Sequence, residues 1–109
     1  MEKLRQKIRA FAAERGWEKF HSPKNLSMAL MVETGELMEH FMWLSEDGSR
    51  SLDDDRRAAV ADEIGDVLIY LTNLADQLDI DPVQAAHEKL VKAGKKYPAD
   101  GRKGEFTKR

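Results

Sequence analysis

Apolar residues recur at three- and four-residue spacing along most of the chain, which is the period of helices, and no stretch alternates with the two-residue period of a strand. A first helix is predicted over residues 2–15, with Leu4, Ile8, Phe11 and Ala12 on its buried face, lysines and arginines opposite, and Gly16 as its stop. Trp17 and Phe20 follow in a connector, where a Trp reads equally well as a plug at the helix end or as a ring kept for chemistry. Ser22-Pro23 has the form of an N-cap with proline at the first helical position. It opens a second helix predicted over 23–44, striped by Leu26, Leu30, Leu37, Phe41 and Leu44, with Met28, Met31, Met38 and Met42 as packing residues. Residues 45–53 read as a polar loop. A third helix is predicted over 54–78, with Ile64, Val67, Leu71, Leu74 and Leu78 in a heptad-like seam. Asp81-Pro82-Val-Gln84 caps a fourth helix over 82–96, Gln84 completing a capping box, with Val83, Ala86 and Leu90 inward. Pro98 ends regular structure, so 1–98 forms one domain and 99–109 a loose basic tail. The fold class is all-α: an antiparallel bundle of about four helices.

Two interruptions of these apolar stripes carry the candidate chemistry. Glu33-Thr-Gly-Glu36 lies in the second helix and Glu63-Ile-Gly-Asp66 in the third, each with its carboxylates three residues apart and so on one helical face. Extended in helical steps, the rows become Glu33, Glu36, His40, Trp43 and Glu63, Asp66, Tyr70, Asn73. Carboxylates that only solvate a helix sit opposite its apolar stripe; these flank it. If the two helices pack together, four carboxylates converge, and their repulsion is relieved by a cation. Oxygen ligands of this hardness suit Mg²⁺ or Mn²⁺. A single Glu-x-x-Glu pair is most often a solvated face, and the doubling is what gives it weight. Gly35, between the first two acids, would permit close approach of a helix or ligand.

Composition narrows the remainder. The chain has 109 residues, enough for one domain with a modest core, so self-association into a dimer or tetramer is expected. A formal net charge of −2 argues against an extended nucleic-acid surface. With no cysteine there is no disulfide framework and no thiolate metal site. No apolar run approaches the ~20 residues of a membrane span, and the charged, amphipathic start lacks the apolar core of a signal peptide; a cytoplasmic protein is expected. Neither a Walker-type nor a Rossmann glycine loop is present, and Glu-x-x-His repeats of di-iron bundles are missing. Lys89, Lys92, Lys95 and Lys96 make the fourth helix basic. Such lysines are commonly just solvated, but beside a carboxylate–metal centre they suit a polyphosphate, with Lys89 and Lys96 placed first. His21 and His87 read as structural.

Glu33-Thr-Gly-Glu36-Leu-Met-Glu39 followed by Glu63-Ile-Gly-Asp66-Val-Leu-Ile-Tyr70 resembles the paired motif of the MazG-like all-α nucleoside triphosphate pyrophosphohydrolases. The similarity is closest to the dCTP pyrophosphatase branch, whose N-terminal signature resembles the run from Phe11 through Trp17, His21, Lys24 and Asn25 to Leu26, and whose ending resembles Lys96-Tyr97-Pro98. The resemblance implies hydrolysis of a deoxynucleoside triphosphate to the monophosphate and pyrophosphate, with Mg²⁺ held by Glu33, Glu36, Glu63 and Asp66. It implies a base pocket from Trp17, Trp43 and Tyr70, substrate contacts at Lys24 and Asn25, and a dimer or tetramer with sites at subunit contacts. Ala93 and Ile8 depart from the branch, which often has Asn and His there, so the base is open: dCTP, a modified nucleotide, dUTP or a purine dNTP. The competing reading is a non-catalytic helical oligomerisation module whose acidic rows are solvated or pair with a partner's lysines.

Overall fold

The computed structural model describes residues 1–99. All but the first residue of the expected tail at 99–109 therefore lie outside the described residues. Among the described residues there are five α-helices and no strand: α1 Glu2–Glu14, α2 Pro23–Glu39, α3 Glu46–Ser49, α4 Asp54–Gln77 and α5 Pro82–Lys96, with a 3₁₀ turn at Glu18–Phe20. Their ends follow from local chemistry. Ser22 Oγ accepts from Asn25 N at 3.1 Å and caps α2, with Pro23 in its first turn. Asp53 Oδ1 accepts from Arg56 N at 2.7 Å at the start of α4. Asp81 Oδ1 accepts from Val83 N and Gln84 N at 3.0 and 3.1 Å at the start of α5. Gly16 follows α1 at φ +63°, a backbone that glycine adopts without strain.

Several expectations change. The second helix stops at Glu39, short of Leu44, and His40–Trp43 continue as turns. The segment read as a polar loop holds a one-turn helix, because Ser45 Oγ accepts from Gly48 N at 3.0 Å and caps it. Gln84 does not close a capping box; its Nε2 donates to Glu88 Oε2 at 3.1 Å, a helical neighbour within easier reach.

The centre of the molecule is the α2–α4 pair, the most extensively packed elements. They run antiparallel. The α2 C-terminus meets the start of α4 where Arg56 Nη1 donates to the His40 carbonyl at 2.6 Å. At the other end, His21, just before α2, meets Asn73 late in α4 at 3.0 Å. Helix α1 lies against α4 and is tied there by Arg9, whose Nε and Nη2 donate to Asp76 Oδ2 and Oδ1 at 2.7 and 2.6 Å. The Asp76 side chain is only 7% exposed, and the two arginines, Arg9 ahead of Arg5, hold its carboxyl below the usual carboxylate range.

The interior of the protomer is thin. Among the described residues the buried apolar ones are Ala12, Leu26, Val60 and Ala75, and of these only Leu26 is large. Met28, Met31, Met38 and Met42, expected to pack, are exposed, as are Ile64, Leu71 and Leu78 of the heptad-like seam. Val83 and Leu90 do not face inward; with Met1, Leu68, Leu71 and Ala86 they line a groove of ≈280 Å³ between α4 and α5, and Leu90 is 69% exposed. A Cβ built at Gly35 meets nothing within 4 Å, so no close approach is made there within the protomer. The radius of gyration is 17.3 Å, against ~13 Å for a compact domain of this size. No helix among the described residues is long and apolar enough to cross a membrane.

Leu26 is 1% exposed at the head of the α2–α4 contact. Leu26→Ala is expected to lower unfolding stability by ~2–5 kcal/mol, the cost of a truncated buried leucine, read from the urea midpoint.

Candidate functional site

Antiparallel packing brings the two acidic motifs face to face. Glu33 and Glu36 project from α2 and Glu63 from α4, each offering a carboxylate oxygen within 4.8 Å of the others. Glu33 and Glu63 are half-buried and Glu36 is exposed. Glu33 Oε2 and Glu63 Oε2 are shut off from solvent and have no hydrogen-bond partner. A buried carboxylate oxygen without a donor is costly. Two things relieve it: a proton held between the carboxylates, or a cation among them. The Glu33 carboxyl is accordingly pushed up to about 7, first by sharing a proton with Glu36, then by desolvation and by Glu63, with the charges of Glu36 and Asp66 adding to it. The donor set, three carboxylates each with an oxygen within 4.8 Å of the others and two of them with a buried unpaired oxygen, fits a divalent cation of the Mg²⁺ type.

Asp66, the fourth expected ligand, is exposed one turn further along α4. Its charge is felt at Glu33, but its oxygens lie outside the group of three. The aromatic residues do not converge within one protomer. Trp17 lies edge-on to Phe11 at 5.6 Å and to His21 at 6.5 Å, half in solvent. Through His21 and Asn73 this cluster is anchored ten residues beyond Glu63, ~15 Å along α4. Trp43 sits at the opposite end, past His40, 87% exposed on the turn that ends α2 early, so it is not on the helical stripe of Glu33. Tyr70 is half-buried between the two ends.

The remaining expected contacts also scatter. Lys24 is exposed in the first turn of α2. Asn25 Nδ2 donates to the Phe20 carbonyl at 3.0 Å and holds the 3₁₀ turn to α2. Lys89 and Lys96 are exposed on α5, and neither lines the groove at the carboxylates; Lys96 Nζ lies 5.7 Å from the ring of Tyr97. His21, read as structural, meets Asn73, a buried amide whose Oδ1 is near Gln77 Nε2 at 3.5 Å.

An open groove of ≈720 Å³ leads from the cluster toward the start of α4, lined by Glu36, Glu39, His40, Asp53, Asp55, Arg56, Ala59 and Glu63. Arg56 was absent from the sequence reading, although a signal was there: it precedes Glu63 by seven residues, two helical turns on the same face.

Residues 28–108 match the model of the MazG-like family. The chain is 42% identical to mouse (Mus musculus) dCTP pyrophosphatase 1 over 99% of its own length and 65% of that protein's. It is 43% identical to the human (Homo sapiens) dCTP pyrophosphatase 1 over 91% of its own length and 59% of the relative's. It thus spans less than two thirds of the relatives it matches. Among solved structures, a pyrophosphatase from Archaeoglobus fulgidus superposes with a TM-score of 0.85 at 42% identity, over 90% of this chain and 92% of that one. An all-helical fold with paired acidic motifs meeting across antiparallel helices defines the class. The chain belongs to the MazG-like family.

The raised Glu33 carboxyl has a definite sign in stability. Between the ordinary value of 4.5 and about 7 the folded protein holds a proton that the unfolded chain releases. Glu33 therefore stabilises the fold most below 4.5, and that contribution is lost as pH rises through about 7. In chelator, the urea midpoint is expected to fall between pH 5 and pH 8 by more in the wild type than in Glu33→Gln; equal slopes would remove this account of the cluster.

Proposed function

We propose that the chain is a metal-dependent nucleoside triphosphate pyrophosphohydrolase that converts a deoxynucleoside triphosphate and water to the monophosphate and pyrophosphate. The observation that carries this reading is the meeting of Glu33, Glu36 and Glu63 with two buried oxygens left unpaired. A helical interaction module gives no reason to bury unpaired carboxylate oxygens. The names of the relatives, dCTP pyrophosphatase 1 and pyrophosphatase, support the reaction class and favour dCTP as substrate. A cytoplasmic location belongs to the same reading, because it is where free nucleotides would be met.

Bound Mg²⁺, or Mn²⁺ in its place, would neutralise phosphate charge and lower the pKa of a coordinated water. Glu33, Glu36 and Glu63 would hold it, with Asp66, one turn further along α4, as the fourth carboxylate. Glu36, the exposed member that also lines the groove, would orient the attacking water and take its proton. A P–O bond then forms at the α-phosphorus, the α–β bridging bond breaks, and pyrophosphate leaves with the bridging oxygen. Trp17, Trp43 and Tyr70 would flank the base, with Lys24 and Asn25 beside Trp17.

A pocket using both tryptophans requires a second copy, because one protomer places them at opposite ends of the α2–α4 pair. The exposed methionines of α2 and the apolar groove between α4 and α5 are the surfaces such a copy would cover. The assembly proposed is a dimer or a tetramer.

Glu36→Gln and Asp66→Asn are each expected to lower turnover of the preferred triphosphate by ~100-fold or more, since even outer partners of metal ligands cost 10–100-fold, while helicity is retained. A panel of triphosphates with Mg²⁺, with products resolved as monophosphate plus pyrophosphate, checks both the reaction and the base; full turnover in either variant removes the metal-centre reading. Sedimentation is expected to give a dimer or larger at micromolar concentration, and a stable monomer would contradict the assembly.

A further inference from the structure

The carboxylate groove presents a problem of charge. Glu36, Glu39, Asp53, Asp55 and Glu63 line it, and a triphosphate brings more negative charge. Cations at Glu33, Glu36 and Glu63 would offset that charge locally, but a leaving pyrophosphate extends away from them. The lysines of α5 do not line the groove, and the one cationic side chain among its lining residues, histidine apart, is Arg56.

Arg56 is held in an unusual way. Its backbone N–H donates to Asp53 Oδ1 at 2.7 Å, and one guanidinium nitrogen, Nη1, donates to the His40 carbonyl at 2.6 Å. That carbonyl belongs to the C-terminal end of α2, the negative pole of the helix. Carboxylates surround the groove, yet among the described residues the guanidinium forms no ion pair. Among the described residues its remaining N–H donors meet no protein acceptor. The backbone of Arg56 lies two turns before Glu63 on the same face of α4, ~10 Å along the axis, a gap that a long side chain partly closes. A guanidinium fixed at one nitrogen, with its other donors free, is arranged to receive a phosphate through two parallel bonds.

We infer that Arg56 is the residue that binds the terminal phosphates and receives the leaving pyrophosphate, in the place the sequence reading gave to Lys89 and Lys96. This rests on the reaction proposed above and names the residue that meets its leaving group. The His40 carbonyl fixes the guanidinium against collapse onto neighbouring acids, so that charge stays available at the groove. Arg56 touches the β and γ phosphates and takes no proton.

The test measures binding of inorganic pyrophosphate with Mg²⁺ by calorimetry, alongside triphosphate turnover and urea midpoints, for the wild type, Arg56→Gln and Arg56→Lys. Glutamine keeps an N–H donor for the His40 carbonyl and removes the charge; lysine keeps the charge and loses the fork. Arg56→Gln is expected to bind pyrophosphate ~10- to 100-fold more weakly, the range of a charged hydrogen-bonded contact. Arg56→Lys is expected to recover part of that loss, with both urea midpoints near wild type. In the wild type, the Arg56 Nε–H resonance is expected to shift on adding pyrophosphate, a readout that needs no variant to fold. Wild-type affinity in Arg56→Gln, an unmoved resonance, or equal weakness in both variants would overturn the inference and leave Arg56 as a latch on α2. If the wild type hydrolyses triphosphates while any of these results is found, only the role of Arg56 falls. If the wild type neither hydrolyses triphosphates nor binds pyrophosphate, the proposed reaction falls with it.

Discussion

The packing of α2 on α4 works against itself at one place, and the site depends on that conflict. Apolar burial draws the helices together, with Leu26 and Val60 among the few residues sealed between elements. The same approach forces Glu33 and Glu36 onto Glu63. Like charges at this separation cannot all ionise without a counter-ion, and the strain appears as a Glu33 carboxyl raised to about 7 and two orphaned oxygens. The chain tolerates the repulsion because other contacts fix the pair. The Arg56–His40 bond closes one end and the His21–Asn73 bond closes the other.

A second constraint is the shortage of interior. Among the described residues only four apolar side chains are buried, and Leu26 is the one large one, while methionines of α2, leucines of α4 and most of the apolar face of α5 lie in solvent. The division has a functional side: the rings proposed to hold the base stand at the two ends of the α2–α4 pair. In the proposed assembly one act of association would cover the apolar faces and bring an aromatic residue from another copy to each carboxylate cluster. Stability and the completeness of the site would then share one interface.

Much was legible along the chain. The all-helical class followed from unbroken helical periodicity, and the starts of α2, α4 and α5 from short-range capping chemistry at Ser22, Asp53 and Asp81. Three of the four carboxylates were correctly expected to meet, because two acid pairs flanking apolar seams have one favourable way to pack. The paired motif likewise resembled the family to which the chain belongs. These features depend on contacts within a few residues or on one dominant face.

Tertiary structure decided what depends on the ends of elements and on the space between them. The stop of α2 at Glu39 turned Trp43 off the stripe of Glu33, and periodicity could not reveal it because Phe41 and Leu44 continue the pattern past the break. Asp66 stands outside the group of three because a one-turn step on α4 carries it past the closest approach of α2. Lysine spacing on α5 said nothing of where that helix would lie, and it lies away from the groove. Arg56 gained its place only when the antiparallel turn carried the His40 carbonyl to it. Residue type and spacing determine which groups share a helical face; the pairing of helices determines which of those faces meet.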